Sequence, residues 1–221
     1  MPVEELVRTV GWIWKGNVFW MGWNMFLALV PLAIGVVVFR ARRHTAMWWV
    51  GVAAFIAFLP NAPYVLTDVI HLPRDLRSHP SGVVRLSVLF QYAVFAAAGL
   101  LAYALALRSV VRHLLRAGWS ERRIAAVEIT LHALSAAGVY LGRVDRLNSW
   151  YLLTRPAEVV ASTASSLGSR AALVYMAATF VVLAPTATVL RLSIDAAAER
   201  AAAVLSPLAG TRPGRSRRAC S

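Results

Sequence analysis

Charged side chains disappear from this chain in five long blocks, and these blocks dominate the hydrophobic pattern. Acids, Lys and Arg are absent from 16–39, 44–67, 86–107, 124–142 and 171–190, apart from Glu128 in the fourth block. The block lengths are 24, 24, 22, 19 and 20 residues, and a helix crossing about 30 Å of hydrocarbon needs about 20 apolar residues. Only a helix or a closed barrel satisfies its own backbone in lipid, and uninterrupted apolar runs of this length read as helices. The expected fold is all-α: a polytopic transmembrane helical bundle of about five spanning helices, near 17–39, 46–67, 86–107, 124–142 and 171–190. A single transmembrane domain over 1–206 and a disordered basic tail over 207–221 complete this reading.

Composition agrees with the pattern. Of the 221 residues, 59% are hydrophobic and the mean hydropathy is +0.61, outside the range of soluble globular domains. The first block is too long for the apolar core of a signal peptide and has no small-residue cleavage site before Arg40, so it is expected to remain as a helix. Cys220 is the only cysteine, which excludes a disulfide framework and a cysteine metal site; neither a metal nor a cofactor is expected. The net charge of +13 invites a nucleic-acid reading. Its distribution opposes one, because the basic residues sit in a Pro/Gly/Arg-rich tail and in loops beside the apolar blocks. The expected partner is the lipid bilayer.

Basic loops also orient the chain. With the N-terminus outside, the inner segments 40–43, 108–123 and 191–221 hold 14 basic residues and the outer segments hold 9. Arg-rich short loops stay on the cytoplasmic side, which favours an outer N-terminus and a cytoplasmic C-terminus. Residues 1–15 read as an interfacial amphipathic segment, with Leu6, Val10, Ile13 and Trp14 at helical spacing and Trp12 and Trp14 suited to headgroups. Arg108, Arg112 and Arg116 at i, i+4, i+8 read as an anchoring face for anionic headgroups.

Polar groups inside the blocks need partners. In the second block, Pro60 and Pro63 break the helix, since proline removes a donor and restricts its predecessor. If helix resumes, Asn61, Tyr64, Asp68 and His71 share a face. Broken helices of this kind build sites in membrane proteins, although a kink with Asn61 tending freed backbone groups explains the same residues. In the fourth block Glu128, His132, Ser135 and Gly142 form a narrow stripe, and Gly138 with Gly142 permits close helix approach. Glu128 and His132, at i, i+4, can hydrogen-bond as a structural clasp or contribute to a proton path. One more turn of helix would bring Arg143 and Arg146 onto this stripe, where guanidinium forks suit a phosphate or carboxylate. Internal partners for them are Asp68, Asp75 and Asp145. The second and fourth spans end on the same membrane face, so these groups converge with Asn148, Asn24 and Gln91 on the outer side.

WNMFLALVP, LPNAPYVLTDVIHL and YLGRVDRLNSWYLLTRP resemble the three signature blocks of a family of bacterial membrane proteins, domain of unknown function 1361. The likeness spans roughly residues 20 to 156. Val144, Leu147 and Tyr151 stand where the family pattern has Phe, Trp and Asp, leaving Asp145 as the nearby carboxylate. The resemblance implies a multi-pass protein of the bacterial cytoplasmic membrane and carries no activity with it. Three functions stay open. One is an outward-facing site for an anionic or lipid-linked ligand, with Asp68 and His71 as acid–base candidates and Asn61, Tyr64, Arg143, Arg146 and Asn148 as ligand-binding candidates. Another is a small transporter with a Glu128/His132 proton path. The third is a structural assembly partner. No HExxH, GxSxG, P-loop or Cys/His zinc spacing is present.

Overall fold

The computed structural model describes residues 2–41, 43–78 and 81–209; most of the expected basic tail, with Cys220, lies outside them. Among the described residues there is no strand, and five helical segments are long and apolar enough to cross a membrane. Helix α1 runs Val3–Val38, and α2 (Ala46–Phe58) returns and breaks. The short helix α3 (Asn61–Tyr64), a 3-10 segment (Val65–His71) and α4 (Leu72–Arg77) complete the second crossing. Helices α5 (Gly82–Arg116) and α6 (Glu121–Arg143) form the third and fourth. Two short helices, α7 (Tyr151–Thr154) and α8 (Pro156–Leu167), lead to α9 (Arg170–Ala209), the fifth.

The helices outrun the apolar blocks. At about 1.5 Å per residue, the 36 residues of α1 measure about 54 Å, well beyond the hydrocarbon thickness. Residues 3–15 are continuous with the first spanning helix, and Ile13 belongs to the core while Trp12 is exposed. Leu6 is outside the residues whose side chains are described.

Helix α5 is the hub, touching α1, α3, α4, α6, α9 and the 3-10 segment. Its buried positions recur every three or four residues, from Val84 and Val88 through Tyr92, Phe95 and Gly99 to Tyr103, Leu107 and Val110. Outward positions are apolar instead of polar: Phe19 is 86% exposed and Val37 73%. A monomer in water rarely carries so much contiguous apolar surface; here it faces lipid.

The break in the second span seats against small residues. A Cβ on Gly99 would lie 2.9 Å from Val65 Cβ and 3.0 Å from the Ala62 carbonyl, and one on Gly138 would collide with the Pro60 ring. A Cβ on Gly142 would lie 3.1 Å from the Tyr64 ring, a tight contact but not a collision. Thus the close approach expected at Gly138 and Gly142 is real, and its partner is the proline break. Gly138→Val should destabilise the protein by about 1–3 kcal/mol, because a rigid proline ring cannot yield to the added methyls. Thermal unfolding in detergent checks this, with Gly82→Ala, where a Cβ meets nothing within 4 Å, as the neutral comparison.

Candidate functional site

Helix α2 ends at Phe58, and the amides that follow are satisfied locally: Ala62 N–H donates to Leu59 O (3.3 Å) and Tyr64 N–H to Pro60 O (3.0 Å). The backbone then tightens into the 3-10 segment, in which side chains three residues apart eclipse. That puts Val65, Asp68 and His71 on one ridge, but their surroundings differ along it. Asp68 is buried at 2% exposure, whereas His71 lies in the exposed layer with its ring 5.4 Å from that of Trp20.

Asp68 is fully engaged. Its Oδ1 accepts from Arg143 Nη2 (2.5 Å) and its Oδ2 from Asn24 Nδ2 (2.8 Å). The Arg143 guanidinium also donates from Nε to Thr67 Oγ1 (2.8 Å), and its Cζ lies 4.4 Å from the Tyr64 ring centroid. The Thr67 hydroxyl donates in turn to the Tyr64 carbonyl (2.6 Å). A buried charge is tolerable only when paired and hydrogen-bonded, and this cluster meets both conditions. It joins α1, the 3-10 segment and the end of α6.

Helix α6 stops at Arg143, so Arg146 does not continue its stripe. Leu147 N–H turns back to Leu141 O (3.0 Å) and Arg146 takes φ 55°, a left-handed conformation that costs a non-glycine residue on the order of 1 kcal/mol. Arg146 is exposed and forms no ion pair among the described residues. Asp145 accepts from Ser162 (2.6 Å) and Ser166 (3.0 Å) of α8, and Asp75 accepts from Tyr92 (2.9 Å) and Asn17 (3.3 Å). Of the possible carboxylate partners, only Asp68 is paired with either arginine, through Arg143.

A groove of about 370 Å³ opens beside the cluster. Leu27 of α1, Ile56 and Ala57 of α2, and Leu134 and Leu141 of α6 form its apolar walls. Asn24, Asn61, Tyr64, Asn148 and Ser149 supply polar groups to the lining, beside apolar Trp23, Leu147 and Trp150. Asn61 and Ser149 hydrogen-bond each other (3.1 and 3.3 Å). Among the described residues, the Tyr64 hydroxyl and the Asn148 carboxamide have no hydrogen-bond partner in the chain. Asp68, His71, Arg143 and Arg146 do not line the groove.

Further along α6 from the groove, Glu128 and His132 part company. Glu128 meets Arg191 of α9 (2.8 Å), and His132 Nδ1 lies 3.0 Å from the Tyr103 hydroxyl, which donates to Ser135 (3.1 Å). The expected Glu128–His132 hydrogen bond is not made, because each group finds a partner on a different neighbouring helix.

Sequence reasoning missed Thr67, Tyr103 and the Arg191–Asp195 pair. Thr67 adjoins Asp68 and gives no separate signal. Arg191 and Asp195 do: they are an i, i+4 pair of opposite charge at the end of the last apolar block.

Five membrane-spanning helices with a polar cluster at one end of the bundle define a multi-pass integral membrane protein. Residues 23–184 match the family described as "Protein of unknown function (DUF1361)", and the chain belongs to that family. No curated protein and no solved structure matches it.

Arg143→Lys keeps the charge but loses the fork that reaches Thr67 and Asp68 together and the planar stack on Tyr64. It should lower folding stability by about 2 kcal/mol, within the range for hydrogen bonds to charged groups. Arg146→Ala should stay within about 0.5 kcal/mol of wild type, as exposed substitutions do. Unfolding in bicelles compares the two, and equal effects would contradict the assignment of Arg143 as the interior partner.

Proposed function

We propose that the groove binds an amphipathic, lipid-linked ligand from the outer leaflet of a bacterial cytoplasmic membrane. The observation carrying this reading is the mixed lining of the groove: apolar side chains of the spanning helices together with the carboxamides and hydroxyls of Asn24, Asn61, Tyr64, Asn148 and Ser149. Such a lining suits a molecule with both an alkyl part and a hydroxyl-rich part. Most small-molecule sites combine apolar lining with a few placed polar groups in this way.

Asn61, Tyr64, Asn148 and Ser149 are the recognition groups. Tyr64 and Asn148 have unused hydrogen-bonding capacity, and the Asn61–Ser149 pair can exchange its mutual bonds for ligand bonds. Arg146, two residues from Asn148 and free of an ion pair among the described residues, is the cation for a phosphate at the rim. Asp68 and Arg143 neutralise each other and hold the Tyr64 ring in place; they are positioning residues. Binding is favoured over acid–base chemistry because Asp68 is committed to that pair and His71 packs on Trp20 outside the groove. The outer placement of this face rests on the distribution of 14 basic residues towards the opposite loops against 9 here.

The test is mass spectrometry of lipids that remain with the purified protein, followed by binding titration of the species identified. Ala57→Trp should fill the groove and abolish that species. Asn148→Ala should weaken it about three- to tenfold, the worth of one hydrogen bond, in protein that melts normally. An unchanged lipid complement in both variants would overturn the reading.

A further inference from the structure

A second cavity lies at the opposite membrane face, between the end of α1 and the last turns of α5, with a volume of about 640 Å³. Arg40, Arg108, Arg112 and Arg116 line it, and no acidic residue does. The spacing explains the concentration. Arg108, Arg112 and Arg116 share one ridge of α5, and that ridge faces the segment where α1 ends and Arg40 begins the loop.

Two of these arginines help build the cavity. Arg116 donates from Nη2 to the Phe39 carbonyl (2.7 Å) and from Nε to the Arg112 carbonyl (3.0 Å), clamping α1 to α5. Arg108 donates from Nε to Asp195 (2.6 Å), and its Nη2 is buried without a partner. The other two are available. The Arg112 side chain is 57% exposed and reaches Asp195 only at 4.0 Å, and Arg40 is exposed with no ion pair among the described residues.

Charge bookkeeping makes the cavity electropositive. Asp195 is shared by Arg108, Arg112 and Arg191, and Arg191 also faces Glu128. Including Arg40 and Arg116, five guanidiniums meet two carboxylates. The surplus sits where Leu32, Val36 and Leu105 continue the wall toward the middle of the bundle.

We propose that this cavity is a binding site for one anionic phospholipid. Its phosphate sits between Arg40 and Arg112, beside the Arg116 clamp, and an acyl chain follows Leu32 and Val36. Guanidinium forks match phosphate oxygens bidentately, and basic pockets between spanning helices are characteristic sites for anionic headgroups. The arrangement does not depend on the groove at the other face. A free phosphate would satisfy the same arginines but leave the apolar wall uncovered, so the lipid is the better fit.

The experiment is native mass spectrometry of the full chain transferred from nanodiscs of phosphatidylcholine containing a minority of phosphatidylglycerol. Wild type should retain one phosphatidylglycerol in preference to phosphatidylcholine. The Arg40→Gln, Arg112→Gln double variant, which spares the clamp and the Asp195 contact of Arg108, should lose that preference by about thirtyfold, at roughly tenfold or less per arginine. Arg40→Lys, Arg112→Lys should keep more of it than the Gln variant, because the charge remains while the fork is lost, which separates charge recognition from misfolding. Asn148→Ala should leave it unchanged, which separates this site from the groove. Equal retention of the two lipids by wild type, or an undiminished preference in the Gln variant, overturns the proposal. Displacement of the lipid by millimolar inorganic phosphate overturns it in favour of a soluble-anion site.

Discussion

Arg143 reaches from the end of the fourth crossing to Asp68 in the broken end of the second, and much of the surrounding structure follows from that ion pair. A span interrupted by Pro60 and Pro63 has irregular backbone where water is scarce, and such backbone persists only when buried in protein. Gly99 on α5 and Gly138 on α6 let the break sink between two neighbouring helices. The ion pair then fastens it there, with Asn24 and Thr67 occupying further hydrogen-bonding positions. Neither charge would be tolerable alone at 3% and 18% side-chain exposure; together they add no net charge to the interior. The lateral groove is lined from this anchored region by residues of α1, α2, α6 and α8.

The two membrane faces solve the same problem with different balances of charge. At the groove face, acids and polar side chains are matched locally: Asp68 with Arg143 and Asn24, Asp75 with Tyr92 and Asn17, and Asp145 with Ser162 and Ser166. What remains open to the groove is neutral hydrogen-bonding capacity. At the opposite face arginine exceeds acid, with Asp195 serving three guanidiniums. A neutral polar lining favours recognition by hydrogen bonds, and a cationic one favours recognition by charge. The two proposed ligands follow this contrast, one taken up by hydrogen bonds and the other by charge.

Much of the architecture was readable because lipid makes charge placement so restrictive. Blocks without acids, Lys or Arg located the five crossings, and the two prolines located the break. Helix ends were less legible: turns beyond the hydrocarbon can be polar, so α1 and α9 continue past the apolar blocks. The meeting of Asp68 and Arg143 followed from counting crossings, since spans two and four end on one face. The i, i+4 logic for Glu128 and His132 failed because helical spacing says which side chains are adjacent and says nothing about stronger partners on other helices. Gly138 signalled a close approach correctly, but a glycine pattern cannot say what approaches. Arg146 was placed on the α6 stripe because nothing in GRVDRLNSW announces a left-handed turn, which more commonly carries a glycine or asparagine.

Asp68 and Arg143 act as one structural unit holding the broken span to α6. The decisive experiment is a double-mutant cycle of Asp68→Asn, Arg143→Gln and the combined variant, with unfolding free energy measured in bicelles. A coupling of about 2 kcal/mol is expected, with the combined variant far less damaged than the sum of the single ones, as for residues in direct contact. Additivity within about 0.5 kcal/mol, the behaviour of independent sites, would contradict it.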